Sequence, residues 1–405
     1  MTKDITPVGY AALLELFNIK ALPHYRSSYI LNHGTPHIER INYEETHYYP
    51  RKYFLKDFQN PLNHIEFALK YDGVNLEILY HVFSKLDHQI FEQYIVSQPS
   101  SKIARKIWYL FEFLTNKVLN IDNAYGGSYT LLLDPREYYT GKSIRSPRHY
   151  IDDNLPGNAQ FCPLIRRTDK LKSFEEANLA QIARNLIAKY DPAIITRAVN
   201  YLYVKETMSS YEIEREIPDS ARTQRFIAAL RKADHIGVLS KQTLIEIQNI
   251  IVDSRFANKD YRDFQNYIGT QLRLDVHLST IEYICPKPEN VPQLMEGLLN
   301  SLHRMMQSDI HPVLIAAAIS FGFVFIHPFE DGNGRLHRFL IHYIFADRGF
   351  VPLGAIFPVS ATILKEMGTY DALLESFSRP LLSLIDNYKI NNQGQLTVYG
   401  DTELH

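Results

Sequence analysis

The feature that most constrains this chain is an apolar run, Val313 to Ile326, of fourteen residues interrupted only by Ser320 and Gly322. It is too short to span a bilayer and reads as a helix buried in a protein core. His327-Pro328 stops it, because proline disfavours helical backbone in the residue before it. Gly332 and Gly334 then flank Asn333, and a second helix is predicted over Arg335 to Ala346. The chain therefore places a glycine-containing turn between two helices, at the N-terminus of the second.

Composition narrows the class. Lysine plus arginine is 43 against 45 acidic residues, a formal charge of −2, which excludes binding to nucleic acid through bulk positive charge. Hydrophobic residues make up 45% and charged residues 22%, the proportions of a globular protein. Cys162 and Cys285, the two cysteines, show no CxxC spacing. That excludes a disulfide framework or a multi-cysteine zinc site and suits a reducing compartment. The N-terminal residues lack the pattern of a secretory signal. A cytoplasmic location without membrane segments is expected.

The periodicity is mainly helical. Ile103, Ile107, Leu110, Leu114 and Val118 recur at steps of three and four behind Ser100-Ser101, and the pattern over 75–120 is read as helical. Lys102, Arg105 and Lys106 lie on this stretch. A solvated basic face is the preferred reading, and contact with DNA through 75–120 the alternative. Glycines and prolines over 121–165 mark a loop-rich connection, with a short strand over Ser128 to Leu133. Helices are expected at Ala177–Ala188, Ile194–Met208, Thr223–Lys232, Lys241–Val252, Val291–Ser308 and Val313–Ile326. Alternating apolar residues over Gln271 to Cys285 predict a hairpin between helices, and Gly394 to His405 a terminal strand. The expected organisation is an N-terminal domain over 1–160 of mixed, mostly helical structure, a helical domain over 161–390, and a short strand or tail over 391–405.

The segment from His327 to Arg338 concentrates the chemistry. A glycine-containing loop entering a helix exposes backbone N–H groups at the positive end of the helix dipole, which suits an anion. Arg335 and Arg338, three residues apart, share one face of the first turn and suit a polyphosphate. Asp331 can hold Mg²⁺, which usually binds through one or two carboxylates together with phosphate oxygens. His327 can take a proton from an attacking hydroxyl, because imidazole titrates at about 6.5. Each element alone has a plainer reading as a turn, a surface charge or a structural histidine. Their convergence within twelve residues favours the functional one.

The same segment matches the pattern H-P-F-x-[D/E]-G-N-G-R-x-x-R of the Fic proteins at every specified position. Phe264 to Gly269 with Glu282 to Pro286 resembles the segment bearing the Fic flap hairpin, and Tyr370 to Leu373 the helix after the motif. The resemblance covers roughly residues 170–390. It implies a mainly α fold, a Fic-type helical core with a small β-hairpin flap, and transfer of AMP from ATP to a Ser, Thr or Tyr hydroxyl of a target protein. It implies that His327 is the general base and Asp331 the Mg²⁺ ligand. Gly332, Asn333 and Gly334 would form the anion hole, Arg335 and Arg338 would hold the β and γ phosphates, and Phe329 would be a buried anchor. Lysine at the Gly334 position accompanies kinase activity in a relative, so glycine here favours AMP transfer. His337 falls at a variable position and is read as a helix-surface residue. Ser209 to Glu216 resembles the family's inhibitory motif, [S/T]-x-x-x-E-[G/N], with Ser210 and Glu214 in register. Arg215 departs from the last position.

These readings converge on an autoinhibited protein adenylyltransferase using ATP and Mg²⁺, with Glu214 as the restraint. Its target would dock by strand pairing at the flap near Gln271 to Thr280, with self-modification as a second outlet. The rivals are another reaction at the same site, by transfer of a different nucleotide or removal of AMP, and a nucleotide-sensing DNA-binding regulator. The oligomeric state stays open, a dimer among the options.

Overall fold

The computed structural model describes residues 5–270, 280–352, 354–385, 387–391 and 394–399. It has two compact units, Met1–Asp134 with Ser143–Asn154, and Pro135–Lys142 with Leu155–His405. Helices dominate both.

The first unit opens on a four-stranded sheet whose strand order is Ile5–Val8, Arg26–Leu31, Glu44–Tyr49, His37–Ile41. Arg26–Leu31 runs antiparallel to Ile5–Val8 and parallel to Glu44–Tyr49, with Tyr29 opposite Tyr48. The predicted helical stretch is three helices, Leu76–Lys85, His88–Ser97 and Lys102–Thr115. Their N-termini are capped by Asn75, Asp87 and Ser101, each accepting a hydrogen bond from an orphan backbone N–H of the first turn. The third helix ends earlier than predicted. Asn116 takes the left-handed conformation, and Val118 lies beyond the helix and is exposed. The expected solvated basic face is also corrected. Arg105 is buried and donates to the Ser128 carbonyl at 3.1 Å, and Lys106 donates to the Leu132 carbonyl at 2.8 Å, leaving Lys102 as the exposed cation of the three. The short strand expected over Ser128 to Leu133 is Thr130–Leu131.

In the second unit the predicted helices are found at Leu179–Ile187, Pro192–Ile213, Ser220–Arg231, Lys241–Ile251, Val291–Met306 and Pro312–Ile326. The apolar run of Pro312–Ile326 is the centre of the core, with Ile315, Ile319 and Phe323 fully buried. Against it packs the motif helix, Asn333–Asp347, in which every residue from Arg335 to Phe345 is buried. Most of its buried polar side chains therefore find partners inside the protein. His337 accordingly lies inside the protein rather than on the helix surface: its Nδ1 meets the Ser320 carbonyl at 2.7 Å. His342 Nε2 meets Glu206 at 2.7 Å, and Glu206 also accepts from the Ser360 backbone at 2.8 Å. These contacts fix the long helix Pro192–Ile213 alongside the motif helix. The hairpin pairs Tyr267–Thr270 with Thr280–Ile284, with an irregularity between Ile268 and Gly269. Gln271 to Ser279, most of the predicted docking segment, lies outside the described residues. A second hairpin joins Tyr388–Ile390 to Leu396–Val398.

Candidate active site

The motif loop is built by its own side chains. Pro312–Ile326 ends at Ile326, and His327 caps it in the left-handed conformation, φ 52°. Asn333 closes the loop: its Oδ1 accepts from the Phe329 N–H at 3.0 Å and its Nδ2 donates to the Phe329 carbonyl at 2.8 Å. Phe329 is fully buried, so the loop is anchored in the core. Gly332 has φ 87°, and a Cβ there would sit 2.7 Å from Val252 Cγ1. Only glycine meets both conditions without strain. Intrahelical bonding starts with Leu336 N–H to the Gly332 carbonyl at 2.9 Å. The N–H groups of Asn333, Gly334 and Arg335 therefore have no partner within the helix, the usual state of a first turn. The side chain of Asn333 is spent on the loop itself, so its contribution to an anion site is the backbone N–H.

His327 Nδ1 lies 3.1 Å from the Val324 carbonyl. That contact calls for the Nδ1–H tautomer and leaves Nε2 free to accept a proton. Burial, reinforced by the Arg262 guanidinium, pushes the imidazole down to about 4, so it is neutral at physiological pH.

Both motif arginines are 1% exposed, and each is held by a glutamate from the turn after Pro192–Ile213. Arg338 donates Nε to Ser210 Oγ and Nη2 to the Ser210 carbonyl and to Glu214 Oε1, each at 2.8 Å. Arg335 donates Nη1 to Glu216 Oε2 at 2.9 Å and Nη2 to Asp331 Oδ1 at 2.7 Å. Its guanidinium lies 5.2 Å from the Tyr211 ring centroid, and its buried Nε finds no acceptor among the described residues. Burial opposes ionisation of Glu214, but the charge and hydrogen bond of Arg338, together with the Arg335 charge, outweigh it, and the carboxyl is held below its ordinary range. The carboxylate also covers Gly334, where a Cβ would fall 2.1 Å from Glu214 Oε1. One acidic oxygen thus occupies the space over the first turn of the motif helix.

Asp331 accepts from the Gly332 N–H at 2.6 Å and from Arg335, both through Oδ1. Its side chain is 29% exposed. Among the described residues no group of three or more His, Cys, Asp or Glu side chains could hold a metal ion. A single accessible carboxylate fits Mg²⁺, which takes the rest of its ligands from phosphate oxygens and water.

The predicted residues His327, Asp331, Gly332, Asn333, Gly334, Arg335, Arg338 and Glu214 thus fall in one neighbourhood. Two more belong with them. Glu216 holds Arg335 and also approaches Arg222 at 3.4 Å. Arg262 donates to the His327 carbonyl at 2.8 Å. For Glu216 the acidic residue two places after Glu214 is a usable signal; for Arg262 nothing in the sequence pattern points to that contact.

Residues 238–345 match the profile of the Fic/DOC family. Protein adenylyltransferase Fic of Culex quinquefasciatus is 23% identical over 235 residues, covering 53% of this chain and 45% of that protein. The protein of the same name from Drosophila sechellia is 37% identical over 219 residues, covering 49% and 44%. The chain therefore spans under half the length of these curated relatives. A Fic family protein from Desulfovibrio desulfuricans G20 aligns structurally with a TM-score of 0.38 at 21% identity, covering 49% of this chain and 65% of that one. Among the described residues no helix is long and apolar enough to cross a membrane.

Proposed function

We propose that this protein, whose residues 238–345 match the Fic/DOC family profile, is an adenylyltransferase that moves AMP from ATP to a protein hydroxyl and is restrained by Glu214. The observation that carries the reading is the burial of two arginines over a helix N-terminus, both capped by glutamates. Two guanidinium groups beside free backbone N–H groups form a site for a polyphosphate. Carboxylates on both are what a restrained polyphosphate site would hold.

In the reaction, the target's hydroxyl oxygen attacks the α-phosphorus and the bond to the pyrophosphate oxygen breaks. The hydroxyl proton passes to Nε2 of His327, whose Nδ1 contact with Val324 keeps that nitrogen available. Arg335 and Arg338 take the β and γ groups once the glutamates leave, and the N–H groups of Asn333 to Arg335 face the negative charge that develops on the leaving group. Asp331 would hold Mg²⁺, which when bound neutralises phosphate charge. A target segment would pair with the flap near Gln271 to Thr280, and the protein's own hydroxyls are the alternative acceptors.

Incubation with ATP labelled at the α-phosphate, Mg²⁺ and lysate tests this reading, with intact-mass analysis of the protein itself. Label on protein, or a gain of one AMP unit, is expected. Label from the γ-phosphate alone, or none with either nucleotide, refutes adenylyl transfer.

A further inference from the structure

We propose that Arg262 is a positioning residue that ties the flap hairpin to the backbone of His327 and so sets where an acceptor hydroxyl meets the base. The assignment rests on the adenylyl-transfer reading and extends it to a residue outside the motif.

Arg262 is buried, at 4% exposure, and its side chain spends its donors on main-chain carbonyls. Nε donates to His327 at 2.8 Å, Nη1 to Phe264 at 2.7 Å and Nη2 to Pro286 at 2.6 Å, with Ile326 at 3.4 Å. Its own N–H donates to the Pro328 carbonyl at 2.8 Å. Phe264 precedes the hairpin's first strand, Tyr267–Thr270, and Pro286 follows its second, Thr280–Ile284. One planar group therefore joins both roots of the hairpin to the end of the core helix.

Two physical features make this more than packing. The carbonyls of Ile326 and His327 end the helix Pro312–Ile326, where the dipole is negative and acceptors lack helical partners. A cation there holds His327 in its left-handed conformation, from which the imidazole is aimed. The fork geometry is also specific, because lysine carries the same charge but offers a point donor that cannot span these carbonyls. A displacement of about 1 Å between reacting groups can cost on the order of 10²-fold in rate. The arginines and N–H groups proposed for ATP lie on a different element, so nucleotide binding should not follow Arg262.

The test uses the full chain carrying Glu214→Gly, with Arg262 intact, Arg262→Lys or Arg262→Ala. Transfer of α-labelled AMP is measured at saturating Mg-ATP, and binding of a non-hydrolysable ATP analogue is measured separately. The lysine variant should lose tenfold or more in transfer rate while analogue affinity and the number of binding sites stay within twofold. In the alanine variant, added ethylguanidinium should restore part of the rate and ethylammonium should not. A lysine variant that keeps its rate overturns the assignment, as does a rate that falls only in step with the number of analogue sites, which is loss of folded protein. No transfer by the Arg262-intact control would overturn the adenylyl-transfer reading, and this assignment with it.

Discussion

Replacing Glu214 with glycine is the most direct perturbation of the proposed restraint. The substitution removes one charge-assisted hydrogen bond of 2.8 Å to Arg338. Such a bond contributes roughly 1.5–3 kcal/mol net. Here Arg338 is 1% exposed but the Glu214 side chain is 36% exposed, so solvent screening places the value at the lower end. About 1.4 kcal/mol is a factor of ten in an equilibrium, and a tenfold rise in AMP transfer is therefore expected, with about a hundredfold as the ceiling. Two contacts limit the gain. Ser210 continues to hold Arg338 through its hydroxyl and carbonyl, and Glu216 continues to hold Arg335. The double variant Glu214→Gly, Glu216→Gly should therefore exceed the single one. Arg338→Ala should not activate, because it removes the proposed phosphate ligand together with the restraint. The assay is the initial rate of AMP incorporation at saturating Mg-ATP. Equal rates for wild type and Glu214→Gly would refute inhibition through this carboxylate.

His327→Ala should lower transfer by about 10²–10⁴-fold with ATP-analogue affinity retained, measured by label incorporation and by binding. Asp331→Ala should reduce Mg²⁺-dependent transfer, and titration of Mg²⁺ into the assay should show a raised metal requirement. The contribution of three buried histidines to folding stability should fall on mild acidification. Burial is the main cause pushing His327, His337 and His149 down to about 4 from an ordinary 6.5. Between those values the unfolded chain binds protons that the folded chain does not, so this contribution rises with pH across the window and is lost as pH falls through it. Each histidine contributes up to about 1.4 kcal/mol per pH unit, and His337→Gln should flatten the melting temperature's dependence on pH between 7 and 5.

The motif segment is legible in the sequence because its parts are contiguous. A helix stop, a glycine turn and paired arginines carry local backbone and charge signals. Contacts across the fold carry no such signal. Arg262 reaches His327 from 65 positions away, and its proposed role depends on main-chain carbonyls that no residue type announces. His337 defies its surface reading because its helix is buried on every side, so position on a helix does not imply a surface. Arg105 and Lys106 depart from the solvated face for a related reason: their stems run inward and their charged ends meet loop carbonyls. The edge strand His37–Ile41 of the N-terminal sheet stays hidden because it is exposed throughout, so it has no inward face to produce alternation.

Arg215 is the one departure from the inhibitory pattern, and its backbone explains what the pattern demands. Arg215 has φ 57°, a left-handed conformation that glycine adopts freely and asparagine tolerates, which is why Gly or Asn belongs there. Arginine in this conformation costs roughly 1–2 kcal/mol. The turn offsets that cost locally, through Arg215 N–H to the Glu212 carbonyl at 2.9 Å and Glu216 N–H to the Tyr211 carbonyl at 3.0 Å. It also reverses the chain tightly enough to bring Glu216 onto Arg335, while Glu214 stays on Arg338. The same turn thus delivers two carboxylates to two guanidinium groups. Arg215→Gly should relieve the backbone cost while keeping both contacts, so it should stabilise the turn and lower basal transfer. A rise in basal AMP incorporation on Arg215→Gly would mean that the arginine side chain, rather than the turn it strains, maintains the restraint.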